Sequence, residues 1–294
     1  MGDEKTTLPR GKKVLIILTC IIYAIHLVFN GLANTKSSLF PESTGNVSDK
    51  FNLPITPAGA TFSIWGFIFV FQIIWLAYLV STVCRRGQAI NIISSKFYIF
   101  FNLNIFLVVA WLLLWSRSEI IASCVILILS QLAIDATYIT AAIDLTRYTD
   151  ENAVTAGNKW DVWSLRVLLQ NGMIFYATWT TIANMLNAAM VISYKVGTST
   201  ETASIIVLSI LTVIILSWFV LENIVFGKYF RYVCAEYVVL IVASLGILAK
   251  NPLAEIPNTS GFVLGLLILS AVLFVCRIIV IIVKEKRKHY GQMA

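Results

Sequence analysis

Apolar residues run along this chain in blocks of about 18 to 25, the length a helix needs to cross a bilayer. Eight such blocks fall at 14–34, 58–83, 97–116, 120–143, 165–194, 203–226, 232–248 and 261–283. In hydrocarbon a segment must satisfy its own backbone hydrogen bonds, and a helix does so without a neighbour. The pattern therefore predicts an all-α polytopic membrane bundle of about eight transmembrane helices. The break at Arg117, Ser118 and Glu119 is so short that the third and fourth spans should form a tight antiparallel hairpin. Two connections are long. The polar segment 35–57 should fold over the mouth of the bundle, and 146–164 carries Trp160 and Trp163, expected at a membrane interface.

Composition agrees with this reading and removes other classes. The 294 residues are 59% hydrophobic and 13% charged, which excludes a soluble globular enzyme and a disordered chain. The net charge of +7 could point to nucleic acid. However, the basic residues lie in short clusters beside the spans, where the positive-inside bias accounts for them, so no nucleic-acid partner is expected. With both termini cytosolic, one side collects Lys5, Arg10, Lys12, Lys13, Arg85, Arg86, Lys96, Arg147, Lys159, Arg166, Lys228, Arg231, Lys284, Lys286, Arg287 and Lys288, and the other keeps few cations. The glycosylation sequons at Asn46 and Asn258 both fall on the other side. The first apolar run is long and lacks a small-residue cleavage site, so it reads as a signal anchor. Asp3 and Glu4 in the leader argue against mitochondrial import and favour the secretory pathway or plasma membrane over the mitochondrial outer membrane. Cys20, Cys84, Cys124, Cys234 and Cys276 lie within or at the ends of spans, with no metal-type spacing.

The fifth span holds the most unusual chemistry. On a helix Tyr176, Thr180, Asn184 and Asn187 share one face, and Trp179, Ala183 and Asn187 form a stripe beside it. Such groups either hydrogen-bond neighbouring helices or line a cavity. Asp135, well inside the fourth span, is a candidate proton or ion site, since buried charges in membranes mark pairs or pathways. Arg277 is expected to snorkel to the interface, Glu222 and Glu236 to reach interfacial water, and His26 to make a helix contact. Trp75 and Trp218 read as packing or interface residues. No His cluster, paired acidic site or nucleophile with a base appears at helical spacing, so no enzymic activity, catalytic residue or metal is expected.

The segment "WTTIANMLN", Trp179 to Asn187, resembles the W-x-x-F-A-x-x-L-N signature of the translocator or tryptophan-rich sensory proteins, the TspO/MBR family. Trp179, Ala183, Leu186 and Asn187 match in register, and Ile182 stands where the family prefers an aromatic. The order of features agrees over roughly the first two thirds of the chain. A long loop leads into "TPAGATFSIWGFIF", "AWLLLW" occupies the third span, a plain fourth span follows, and the signature lies on the fifth. The loop segment looks closer to the longer, uncharacterised TspO-related proteins than to the short form. Departures are also visible. Ile55 precedes Thr56 and Pro57 where the short family has a loop Trp and two prolines, which puts its porphyrin chemistry in doubt. Val108 or Leu112 stands where the third helix of that family has an Asn; the nearest amides are Asn102 and Asn104.

The chain reads as one transmembrane domain over 1–294: the resemblance implies a five-helix part at 13–194, and the three additional helices at 203–284 have no counterpart in the short family. It also implies a pocket for a porphyrin, sterol or aromatic ligand, with Phe62, Trp65, Trp111, Tyr176, Trp179, Thr180, Ala183, Asn184 and Asn187 as candidate wall residues. Rings stack on Trp and Tyr while an amide fixes orientation. The expected function is binding or sensing of a hydrophobic small ligand. The alternative is a secondary transporter that uses Asp135. The last three helices could extend the pocket, form a homodimer surface or hold a partner.

Overall fold

The computed structural model describes residues 8–85, 91–155 and 157–291; Asp3, Glu4, Lys5 and Arg86 lie outside the described residues. All eight predicted spans are helical, and the described residues contain no strand. Helix α1 covers Arg10–Leu32, and α2, Thr44–Lys50, is a short helix in the first long connection. A 3-10 turn at Gly59–Ser63 leads into α3, Ile64–Cys84, followed by α4, Ser95–Trp115, and α5, Ile120–Glu151. The next helix is composite: α6, Lys159–Ser164, passes through a π-helical stretch, Leu165–Gln170, into α7, Asn171–Tyr194. Helix α8, Thr200–Val220, ends in a second π-stretch, Leu221–Val225; α9 is Ala235–Lys250 and α10 is Pro257–Gly291.

Six of these helices are long and apolar enough to cross a membrane, and α7 and α9 fall outside that measure. The reasons are local. Helix α9 has 16 residues, about 24 Å at 1.5 Å per residue, short of the roughly 30 Å hydrocarbon core. Helix α7 carries Thr178, Thr180, Thr181, Asn184 and Asn187. Both are interior: α7 packs against α3, α5, α8 and α9, and α9 packs against α7 and α10. Neighbouring helices therefore shield the polar groups that lipid would reject.

The α4–α5 connection is the expected tight hairpin. Ser118 takes φ 60°, its N–H reaches Trp115 O at 2.8 Å, and Glu119 N–H reaches Leu114 O at 3.2 Å. The first long connection folds down onto the bundle and buries Phe40, Val47, Leu53 and Ile55. Ser43 caps α2 by accepting from Asn46 N–H at 3.2 Å. Trp115 Nε1 donates to Thr44 O at 3.2 Å, Asn251 Nδ2 to Thr56 O at 3.2 Å, and Ala58 N–H to Gly246 O at 2.9 Å. One segment thus ties α4 to α9. At Gly246 only hydrogen fits, because a Cβ there would lie 2.1 Å from Thr61 Oγ1.

At the opposite end, Asp161 of α6 accepts from Tyr78 OH at 2.6 Å and Arg85 Nη1 at 2.7 Å, locking α6 to the end of α3. Trp160 is 77% exposed. Trp163 instead packs on Tyr232, ring centroids 4.9 Å apart, with the Arg166 guanidinium over both rings at 5.1 and 4.6 Å.

Candidate functional site

Helix α7 sends its two sides to different environments. Toward α4 and α5 it makes a buried hydrogen-bond chain. Tyr176 OH donates to Asn104 Oδ1 at 2.9 Å, and Asn104 Nδ2 donates to Ser130 Oγ at 2.8 Å and Ser130 O at 2.9 Å. Asn184 Nδ2 reaches Leu127 O at 3.3 Å and Thr180 O at 3.0 Å, Thr180 Oγ1 donates to Tyr176 O, and Asn187 Nδ2 donates to Ala183 O at 2.9 Å. Reading the sequence named Asn104 only as one of two amides near the position of the family's third-helix Asn. Asn102 stands two residues before it, and only tertiary packing brings Asn104 to Tyr176.

The aromatic candidates divide. Trp179 meets Phe62 and Trp65 edge-on, at centroid distances of 6.2 and 6.3 Å. Trp65 also meets Tyr176 at 6.1 Å and stacks on Phe69 at 5.8 Å. Phe62, Trp65, Tyr176 and Trp179 therefore form one packed cluster between the start of α3 and the middle of α7. Trp111 stacks instead on Trp115, one turn along α4, at 5.6 Å. Trp179 Nε1, Trp111 Nε1, Asn184 Oδ1 and Asn187 Oδ1 are buried and have no hydrogen-bond partner. Thr180 and Asn187 are buried, and Ala183 packs against the core.

The other side of α7 faces a cavity of about 380 Å³, within the roughly 300 to 1,000 Å³ range of small-molecule sites. Ala177, Thr178, Thr181 and Asn184 of α7 form one wall; Gln131, Asp135 and Tyr138 of α5 form a second. Leu211, Ile215 and Trp218 of α8, with Glu236, Tyr237 and Leu240 of α9, complete it. Ile128, Leu132 and Ile214 line it and are also exposed, so it opens sideways between α5 and α8. Tyr138 and Trp218 meet edge-on at 6.0 Å and close off one end together with Phe230. Of the candidate site residues, Asn184 and Asp135 line this cavity, as do Trp218, expected only in packing or at the interface, and Glu236, expected in interfacial water. Phe62, Trp65, Trp111, Tyr176, Trp179, Thr180, Ala183 and Asn187 do not.

The ionisable residues correct three expectations. Arg277 does not snorkel: it is 1% exposed. Its Nε donates to Val233 O at 2.9 Å, its Nη1 to Asn223 Oδ1 at 2.7 Å and its Nη2 to Phe230 O, because the loop between α8 and α9 turns its carbonyls inward onto the guanidinium fork. Glu222 does not reach interfacial water either. It is fully buried on the π-stretch, 3.4 Å from Arg277 Nε, and accepts from Tyr237 OH. Glu236 is 3% exposed and lies against the carboxyl of Glu222, with no basic or hydroxyl group donating to either oxygen. Asp135 Oδ1 accepts from Gln131 Nε2 at 2.8 Å on its own helix. A signal was available in the sequence: residues 222, 236 and 277 lie at the end of one span, the start of the next and the end of the last. Antiparallel packing puts those positions at one depth. His26 is buried and contacts Asn30 Nδ2 at 3.1 Å, the helix contact expected of it.

A strand-free bundle of apolar helices around a buried polar centre defines a polytopic integral membrane protein. Within that class the chain belongs to the TSPO-like protein family, whose model matches residues 16–282. The match runs from α1 into α10 and so includes the last three helices, beyond the two thirds that the motifs cover. No curated protein and no solved structure matches the chain.

Proposed function

We propose that this TspO-type membrane protein binds or senses a hydrophobic small molecule of porphyrin, sterol or aromatic type, in the cavity between α5, α7, α8 and α9. The observation that carries the reading is the composition of that cavity: mostly aliphatic and aromatic walls, with a few polar groups converging from three helices. Such sites bind by apolar burial and orient by the polar groups. The sideways opening suits a ligand already dissolved in the bilayer. Trp218 on the wall provides a reporter.

The test is a fluorescence titration of the purified chain with an aromatic ligand. Saturable quenching is expected, with affinity lowered about tenfold or more by Ala177→Phe, which overfills the cavity. Trp179→Ala and Asn187→Ala should leave affinity within about twofold, since neither residue lines it. Loss of binding in those two variants, with Ala177→Phe unaffected, would move the site to the aromatic cluster at the start of α3.

Secondary transport is the second reading. It is favoured by one observation, that Asp135 lines the cavity and is hydrogen-bonded within its own helix. Proteoliposome flux that depends on a pH gradient and disappears in Asp135→Asn would establish it.

A further inference from the structure

The charges around the cavity do not balance. Glu222 and Glu236 share a buried cluster with one guanidinium, that of Arg277, and Asp135 stands on another wall. Arg277 is committed to Glu222, Asn223 Oδ1 and two loop carbonyls. Glu236 is the residue left over: more than nine-tenths buried, on the cavity wall against Glu222, with no basic or hydroxyl group donating to either oxygen. A buried carboxylate takes up either a proton or a cation. Glu236 occupies the first turn of α9, where the helix dipole favours the anion. No Lys or Arg lines the cavity among the described residues, so the carboxyl groups on its walls are left to a proton or to a cation that enters from outside.

We infer that the cavity selects a lipophilic amine, whose ammonium seats against Glu236 while its apolar body lies along Leu211, Ile215 and Leu240. This rests on the proposed reading of the cavity as a ligand site, and adds the chemical class. Tyr138 and Trp218 supply ring faces beside the same chamber, and an ammonium is attracted to such faces. Asp135 provides a second acceptor on the α5 wall. The same charges work against carboxylate-bearing ligands, which narrows the classes proposed above away from porphyrin acids. They also work against a phospholipid ammonium, which brings a phosphate with it.

The experiment compares 4-phenylbutylamine with its neutral N-acetyl derivative, by Trp fluorescence and by thermal stabilisation of the full chain in nanodiscs. The amine is expected to bind about tenfold or more tightly than the amide. Glu236→Gln should remove that preference by weakening the amine alone, and Glu236→Asp should restore part of it. Equal binding of amine and amide by the wild-type chain would overturn the inference while leaving the cavity reading intact. That arm needs no variant, so misfolding of Glu236→Gln could not obscure it. Binding of neither probe, with Ala177→Phe giving the same melting curve in their presence and absence as the wild type, would overturn both.

Discussion

Glu222, Glu236 and Arg277 illustrate how differently two buried carboxylates of one type can be placed. Glu222 has a guanidinium and a phenol; Glu236 has neither. Removing the cation of a buried pair leaves an uncompensated charge and costs about 3 to 5 kcal/mol. Arg277→Met should therefore lower thermal stability strongly, and Arg277→Lys should not rescue it, because an ammonium cannot span the acceptors that the planar fork reaches. Glu236→Gln should be neutral or slightly stabilising, since it removes a carboxyl that is buried against a second one, Glu222. A thiol-reactive melting assay on the purified variants checks both, and a stable Arg277→Met would contradict the pairing. On the other side of α7, Tyr176→Phe breaks the bond to Asn104. Interhelical bonds of this kind in membranes average about 0.6 kcal/mol and rarely exceed about 1.7, so a shift of only a few degrees is expected. The bond to Asn104 on α4 is a helix-packing contact.

Two contacts between elements hold the ends of the bundle. The 3-10 turn before α3 approaches α9 so closely that a Cβ at Gly246 would lie 2.1 Å from Thr61 Oγ1 and 2.6 Å from Cγ2. Gly246→Ala should cost about 1 to 3 kcal/mol or more through overpacking. Adding Thr61→Ala should recover part of it, since the two nearest atoms are then gone, and a double-mutant cycle would show coupling of opposite sign to the single effect. At the other end Asp161 is buried and satisfies Tyr78 and Arg85 together. Asp161→Ala should loosen α6 from α3, read as faster proteolysis within 152–164, whereas an unchanged digestion pattern would mean that other contacts hold α6.

For the whole molecule, the orientation we propose places the 35–57 connection outside the cytosol. Asn46 is exposed on α2, whereas Asn258 is tied to Glu201 Oε1 at 2.9 Å and its sequon Ser260 is buried against Asn251 O at 2.8 Å. Asn46 is thus the better acceptor. Expression in a secretory-pathway host should give an endoglycosidase-sensitive band that Asn46→Gln removes. A chain never glycosylated at Asn46, with Cys84 labelled by an impermeant thiol reagent from outside, would reverse the orientation.

Local sequence alone determined eight helices, their approximate limits and the hairpin at Ser118, because span length answers to bilayer thickness and each helix satisfies its own backbone. The polar face of α7 was legible as well, and both alternatives occur on it: Tyr176 bonds to α4 and Asn184 to α5, Asn184 also lines the cavity, and Thr180 bonds within α7 itself. Which side served which purpose was decided by tertiary structure, since periodicity records a face but not the neighbour it meets. The same holds for Glu222, Glu236 and Arg277, which read singly as interfacial and in the fold close on one another. Their burial depends on α8, α9 and α10 meeting at one depth, with Glu222 buried on the π-stretch that ends α8. The free energy of a charge is set by what surrounds it in three dimensions, which the order of residues along a helix does not specify.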